Sequence, residues 1–225
     1  MIATLDRKDW WLAAIDPATG RTDVRHHDRG ALMIASQQIG FLPDHRLWFL
    51  SEQGGWFGLY LDDGQSTRPV ATGPFEVANV QWSPDGRRAF FQCNRKEPGD
   101  HEVCRVNADG SDLRELTALD GVGTYLDLDA FRLSPDGRRL AVRYSGPYLP
   151  MQLALVDAET GETRRIGDTR GAALKARAAP LVEPQIVQVP STHFPGTIWS
   201  KLFRGERPQS RILSNQYPHC GVNRR

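Results

Sequence analysis

The sequence predicts an all-β chain: a partial β-propeller of about three and a half four-stranded blades with a short C-terminal extension. Three observations carry this. First, the hexapeptide Ser83-Pro84-Asp85-Gly86-Arg87-Arg88 returns unchanged as Ser134-Pro135-Asp136-Gly137-Arg138-Arg139, and Leu42-Pro43-Asp44-His45-Arg46 is a worn copy. Each copy has the chemistry of a type I turn. Ser accepts a hydrogen bond at the first position, Pro pre-sets φ at the second, Asp suits the third and Gly takes the fourth. Second, each turn runs into an apolar stretch: Leu47-Trp48-Phe49-Leu50, Ala89-Phe90-Phe91 and Leu140-Ala141-Val142. A turn followed by a β-rich run is a hairpin signature. Third, the turn prolines fall 41 and 51 residues apart. With several strands per unit, that spacing points to propeller blades.

The elements follow in order. Residues 9–27 read as half a blade: strand Trp10–Ile15, a turn at Asp16-Pro17-Ala18-Thr19-Gly20, and a strand from Thr22 to His26. The chain thus reads as starting halfway through a repeat, which leaves Trp10–Ile15 with an open edge. The first full blade spans about 31–73. It starts near Met33, turns at Pro43 and Asp62-Asp63-Gly64, and ends at Pro69–Thr72. The second spans about 75–118, with turns at Pro84 and Asp109-Gly110. The third spans about 123–168. It starts between Tyr125 and Leu133 and turns at Pro135 and Glu159-Thr160-Gly161. Inner strands are almost wholly apolar because both of their faces are covered. The closing strand of each unit mixes in charge, as in Leu113-Arg114-Glu115-Leu116, which suits a water-facing edge. Residues 171–182 read as a linker, with a short helix over Gly171–Ala179 as the alternative. Residues 183–204 hold two more strands outside the repeat. From 205 to 225 the pattern dissolves into polar residues, Pro and Arg, and a poorly ordered tail is expected.

Composition narrows the function classes. Hydrophobic residues at 40% and charged residues at 24% are ordinary for a soluble globular protein. A formal net charge of +1 gives no general attraction to nucleic acid or anionic lipid, so neither is an expected partner. The Arg pairs 87–88, 138–139 and 164–165 read as solvated loop charge. No apolar run is long enough to span a bilayer, and no signal peptide is visible. Of the three cysteines, Cys93 ends one predicted strand and Cys104 lies in the next. They can face each other as a disulfide in an oxidising compartment, or sit as buried free thiols.

Several strings go beyond the turn motif. Phe49-Leu50-Ser51-Glu52, Gly55-Trp56 and Leu59-Tyr60 come first. Thr72-Gly73 and Phe75-Glu76-Val77 follow, then Tyr144-Ser145-Gly146-Pro147 and Leu149-Pro150. In this order and spacing the chain resembles the later half of the β-propeller of the dipeptidyl peptidase IV group, within the prolyl oligopeptidase family of serine peptidases. Glu183-Pro184-Gln185-Ile186-Val187 and Thr197–Phe203 resemble the segment that leaves the propeller and begins the α/β-hydrolase domain. The resemblance covers about Asp9 to Arg204. It implies a parent that removes N-terminal dipeptides ending in Pro or Ala. The propeller would gate access and hold peptide substrates against the hydrolase domain. A parent in the periplasm or outside the cell fits this, and a cytoplasmic one is also open.

Departures matter as much. The family's nucleophile sits in a G-x-S-x-G elbow, with Asp and His after it. No such string occurs in this sequence. The acidic pair that holds the substrate's free N-terminus belongs to an earlier part of the family's propeller. No catalytic residue therefore carries over, and no cofactor or metal site is expected. His26-His27 read as structural surface histidines, because strand neighbours face opposite ways. His101-Glu102 lacks the second His of a zinc motif, and His219-Cys220 lacks partner ligands. Gly121-Val122-Gly123 lacks the final Gly of a phosphate loop, and Asp127 and Asp129 read as one charged strand face. Trp48, Trp56, Trp82, Phe90 and Phe91 read as packing between blades. The competing reading is a stand-alone scaffold like the periplasmic TolB-type propellers, which bind protein partners. The 183–204 segment separates the two, since a pure scaffold has no use for it. Homo-oligomerisation is also expected.

Overall fold

A computed structural model describes residues 1–30, 38–119, 130–146, 149–167, 184–192, 196–204 and 211–214. The expected blade starts at Met33 and Tyr125 and the linker at 171–182 lie outside these residues. Among the described residues every regular element is a strand. The first sheet holds β1 (Ile2–Ala3), β2 (Asp9–Ile15) and β3 (Thr22–Arg29). Three four-stranded sheets follow. The first is β4 (Ile39–Phe41), β5 (Leu47–Ser51), β6 (Gly58–Asp62) and β7 (Thr67–Ala71). The second is β8 (Val77–Trp82), β9 (Arg88–Cys93), β10 (Glu102–Asn107) and β11 (Arg114–Glu115). The third is β12 (Phe131–Leu133), β13 (Arg139–Gly146), β14 (Leu149–Asp157) and β15 (Thr163–Ile166). A last sheet holds β16 (Gln185–Pro190), β17 (Thr197–Arg204) and β18 (Arg211–Ser214). Within every sheet the strands pair antiparallel in chain order. This is a meander, the content of a propeller blade.

Two features differ from the sequence reading. β1 pairs with β2 at Trp10 and Trp11, so the edge of Trp10–Ile15 is partly covered rather than open. Arg211–Ser214 pairs with β17, where an unordered tail was expected. Neither strand carries the turn signal that marks the others. Both are set by partners already in place.

The core lies between sheets, and the two-residue period of a strand divides it. On β9, Phe91 and Cys93 join the cluster against β5 and β6, with Leu50, Leu59, Leu61 and Ala71. Phe90 points the other way, into the cluster of Phe131, Leu140, Val142 and Ala154. Phe90 is 1% and Phe91 0% exposed. Trp10 and Leu12 seat the first sheet on Phe49 and Tyr60. Trp48 and Trp82 meet across a sheet boundary with ring centroids 6.5 Å apart. The aromatics of the apolar runs thus do pack between blades.

Polar ties repeat at each boundary. Arg25 Nη2 donates to Asp62 Oδ1 at 2.6 Å, Arg68 Nη2 to the Ala108 carbonyl at 2.7 Å, and buried Arg105 Nη1 to the Glu159 carbonyl at 3.0 Å. Gln38 Oε1 accepts Val80 N–H at 2.9 Å. Gln81 accepts Leu133 N–H at 2.9 Å and donates to the Phe131 carbonyl at 2.8 Å. Arg87 is a solvated loop charge as expected, and Arg88, at the start of β9 and also partly exposed, pairs with Glu159 of the next blade.

The repeated hexapeptide closes as a turn with a left-handed glycine. Gly86 N–H donates to the Ser83 carbonyl and Gly137 N–H to that of Ser134, both at 2.8 Å, and their φ values are 67° and 71°. Each glycine lies against the proline of the preceding copy. A Cβ at Gly86 would sit 3.0 Å from Pro43 Cδ, and one at Gly137 2.8 Å from Pro84 Cδ. The motif therefore repeats because successive turns stack on one another. Its glycine answers both to backbone conformation and to its neighbour.

Candidate functional face

In a meander, hairpin ends alternate between two faces of the arc. The hexapeptide turns and the Asp62–Ser66, Asn107–Ser111 and Asp157–Glu162 turns share one face. The β5–β6 and β9–β10 loops, with the link into β8, share the other. The chain's last sheet is coupled electrostatically to the second face. Burial lowers the pKa of Lys201 on β17, and the charges of Glu97 and Asp100 in the β9–β10 loop oppose this. The hexapeptide face is occupied by blade-to-blade packing. The loop face carries the unusual groups.

Glu76 is the first of these. Its carboxylate accepts Phe57 N–H at 2.9 Å, and its own N–H donates to Asn94 Oδ1 at 2.7 Å. One residue thus ties the β5–β6 loop to the β9–β10 loop. Burial, with Glu52 adding like-charge repulsion, pushes the Glu76 carboxyl up to about 7, although the Phe57 hydrogen bond opposes this. His101 and Glu102 follow on the same rim. Burial, with the Lys201 charge adding to it, pushes the His101 imidazole down to about 4. Burial raises the Glu102 carboxyl despite hydrogen bonds from the Thr117 hydroxyl and, at 2.7 Å, Leu119 N–H. Beside Glu76 a shallow cleft of about 400 Å³ is lined by Gly54, Trp56, Tyr60, Pro69, Thr72, Gly73 and Pro74. The face therefore offers an aromatic, partly apolar surface beside a carboxyl that changes charge near neutral pH.

The structure joins Cys93 and Cys104 in a disulfide with Cα atoms 5.8 Å apart. The pair sits where the β9–β10 loop leaves the sheet.

One cluster resembles a nucleophile site and is not one. Asp28 Oδ1 accepts the Ser51 hydroxyl at 2.9 Å and lies 2.9 Å from His26 Nε2, which is also 3.3 Å from Ser51 Oγ. Ser and Asp thus address the same ring nitrogen. A Ser-His-Asp relay needs them on opposite nitrogens, and Ser51 is fully buried. The cluster joins the first two sheets. His26 is accordingly not the surface residue that the sequence suggested. His27 is, at 2.9 Å from Asp9 Oδ1 and stacked on Trp11 at 4.7 Å.

Among the described residues no group of three or more His, Cys, Asp or Glu is placed to hold a metal ion. No helix among them is long and apolar enough to cross a membrane. Gly121-Val122-Gly123, Asp127, Asp129, His219 and Cys220 lie outside the described residues. Sequence reasoning missed Asn94 and Lys201, and saw Glu76 only as part of a matching string. The one local signal was an acidic residue enclosed by Phe75 and Val77.

Comparison with known proteins agrees with this fold. The family described as dipeptidyl peptidase IV (DPP IV) N-terminal region matches residues 1–151. Among solved structures, a puromycin-hydrolyzing peptidase of Mycobacterium tuberculosis superposes with a TM-score of 0.63 at 18% identity, over 92% of this chain and 31% of that one. Dipeptidyl peptidase 4 of Porphyromonas gingivalis gives 0.69 at 15%, over 88% and 28%. A puromycin hydrolase gives 0.64 at 14%, over 91% and 31%. The chain thus spans about three-tenths of each of these structures. No curated protein matches by sequence.

Proposed function

This chain belongs to the dipeptidyl peptidase IV N-terminal region family, and on that premise we propose that it is the propeller portion of a dipeptidyl-peptidase-IV-like serine peptidase. Its part is to gate and position peptide substrates for a hydrolase domain. The observation that carries this is the electrostatic coupling of Lys201 on β17 to Glu97 and Asp100 of the β9–β10 loop. It supports a reading in which the loop face is the side toward which the chain leaves the propeller. A peptide held there lies beside Trp56 and the Glu76 carboxyl. Chemistry belongs elsewhere, because this sequence has no nucleophile elbow.

Photo-crosslinking tests the reading. An Ala-Pro peptide bearing a photoreactive phenylalanine should label 52–57, 73–76 and 94–101. Labelling confined to the hexapeptide turns at 83–88 and 134–139 would refute the assignment of the face.

A further inference from the structure

We propose that the Cys93–Cys104 bond is a redox site that fixes the β9–β10 loop for docking against β17, and that a dithiol reductant releases this docking. The inference does not depend on which reaction the parent performs. Cys93 lies opposite Glu102 and Cys104 opposite Phe91, so the two cysteines meet on a diagonal. Both face the core cluster of Val77, Phe91 and Val106 and are 1% and 0% exposed. Beyond them the loop 94–101 has no ladder of its own. It is held by Asn94 to Glu76 at 2.7 Å, by Asp100 N–H on the Glu97 carbonyl at 3.1 Å, and by Lys96 at 3.9 Å from Asp100 and 3.7 Å from Glu115. The charge of Lys201 on β17 is coupled to two of these same loop residues, Glu97 and Asp100. The disulfide is the covalent tie at the base of this group.

Two thiols need more room than one bond, and a close-packed core has none to give. Reduction therefore shifts the end of β9 against β10, and the loop is what lies beyond that end. The chemistry is thiol–disulfide exchange. A thiolate of the reductant attacks one cysteine sulfur, a mixed disulfide forms, and the other cysteine leaves as a thiolate that takes up a proton. The reductant's second thiolate then displaces the first cysteine and closes its own disulfide. Two electrons pass from the reductant to the protein, and both cysteines end as thiols. Burial makes the exchange wait on local opening of the hairpin.

The test uses the full chain equilibrated in an oxidised glutathione buffer. Thiols are titrated in denaturant, and hydrogen exchange is followed with and without dithiothreitol. One free thiol is expected before reduction and three after, from a chain with three cysteines. On reduction, exchange should rise about tenfold at 94–101 and at 197–203, with 83–88 unchanged. Three free thiols in the oxidised buffer would overturn the proposal. So would unchanged exchange at 197–203 after complete reduction. A Cys93→Ala/Cys104→Ala variant should reproduce the reduced pattern. If that variant does not fold, the wild-type comparison still decides. Lys201→Ala should make 197–203 exchange fast in both conditions. A full reductant response surviving there would also count against the proposal.

Discussion

Four residues show how position sets chemistry. His45 stands where the two later hexapeptides have glycine, and it carries a φ of 68°. A non-glycine residue there costs roughly 1 kcal/mol, so His45→Gly should raise the thermal midpoint by a few degrees. Gly137→Val, by contrast, adds a branched side chain at φ 71° against Pro84. It should cost about 2–4 kcal/mol, read by denaturant unfolding; an unchanged midpoint would contradict the stacked-turn account. Glu76 sets pH dependence. Its pKa is raised in the folded state from 4.5 to about 7. The stability it contributes is therefore complete below about 4.5 and lost as pH rises through about 7. His101 is shifted the opposite way, from 6.5 to about 4, so its contribution is complete above about 6.5 and lost as pH falls through about 4. Melting should be highest near pH 5–6.5. Glu76→Gln keeps the bond from Phe57 N–H and should recover roughly 2 kcal/mol at pH 8. A Glu76→Gln variant that melts like the wild type at both pH 5 and pH 8 would rule out the buried carboxyl as the cause.

At the scale of the element, β9 is the strand on which the arc depends. Its alternate side chains serve two cores, Phe91 on one side and Phe90 on the other. Its end carries one half of the disulfide. Phe90→Ala and Phe91→Ala should each cost about 3–5 kcal/mol. Because the cavities open on opposite sides, Phe91→Ala should raise hydrogen exchange in β5 and β6, and Phe90→Ala in β13 and β14. If both variants loosen the same sheet, the division of the core is wrong. The strand itself was legible from its turn and its apolar run. Which ring served which core was not, because alternation gives two faces without naming what covers them.

For the whole molecule, the outward faces of the arc decide its behaviour. Among the described residues, Ile15 and Val24 on the first sheet are 64% and 60% exposed, and Leu153 and Ile166 on β14 and β15 are 44% and 40% exposed. Uncovered blade faces of this kind favour association. The chain of residues 1–225 should run above monomer mass in light scattering, and it should not hydrolyse a Gly-Pro chromogenic substrate. A stable monomer with a cooperative melt would refute the first expectation, and turnover that survives removal of contaminating peptidases the second.

The sequence by itself determined the blades. Turn chemistry is local, set by which residues tolerate proline's φ or a left-handed glycine, and strand period is local too. The spacing of Pro43, Pro84 and Pro135 therefore already defined the repeat. It also brought Cys93 and Cys104 onto neighbouring strands, though not the choice between bond and thiols. Only the tertiary structure decided what depends on residues far apart in the chain. Gly137 stacks on Pro84. Gln81 spans two blades. His26 is buried beside Ser51. The charge of Lys201 acts on Glu97, and Glu76 is pressed into a setting that moves its pKa. Desolvation and cross-blade contact act over space, and a one-dimensional pattern does not encode what another blade will bring to a side chain.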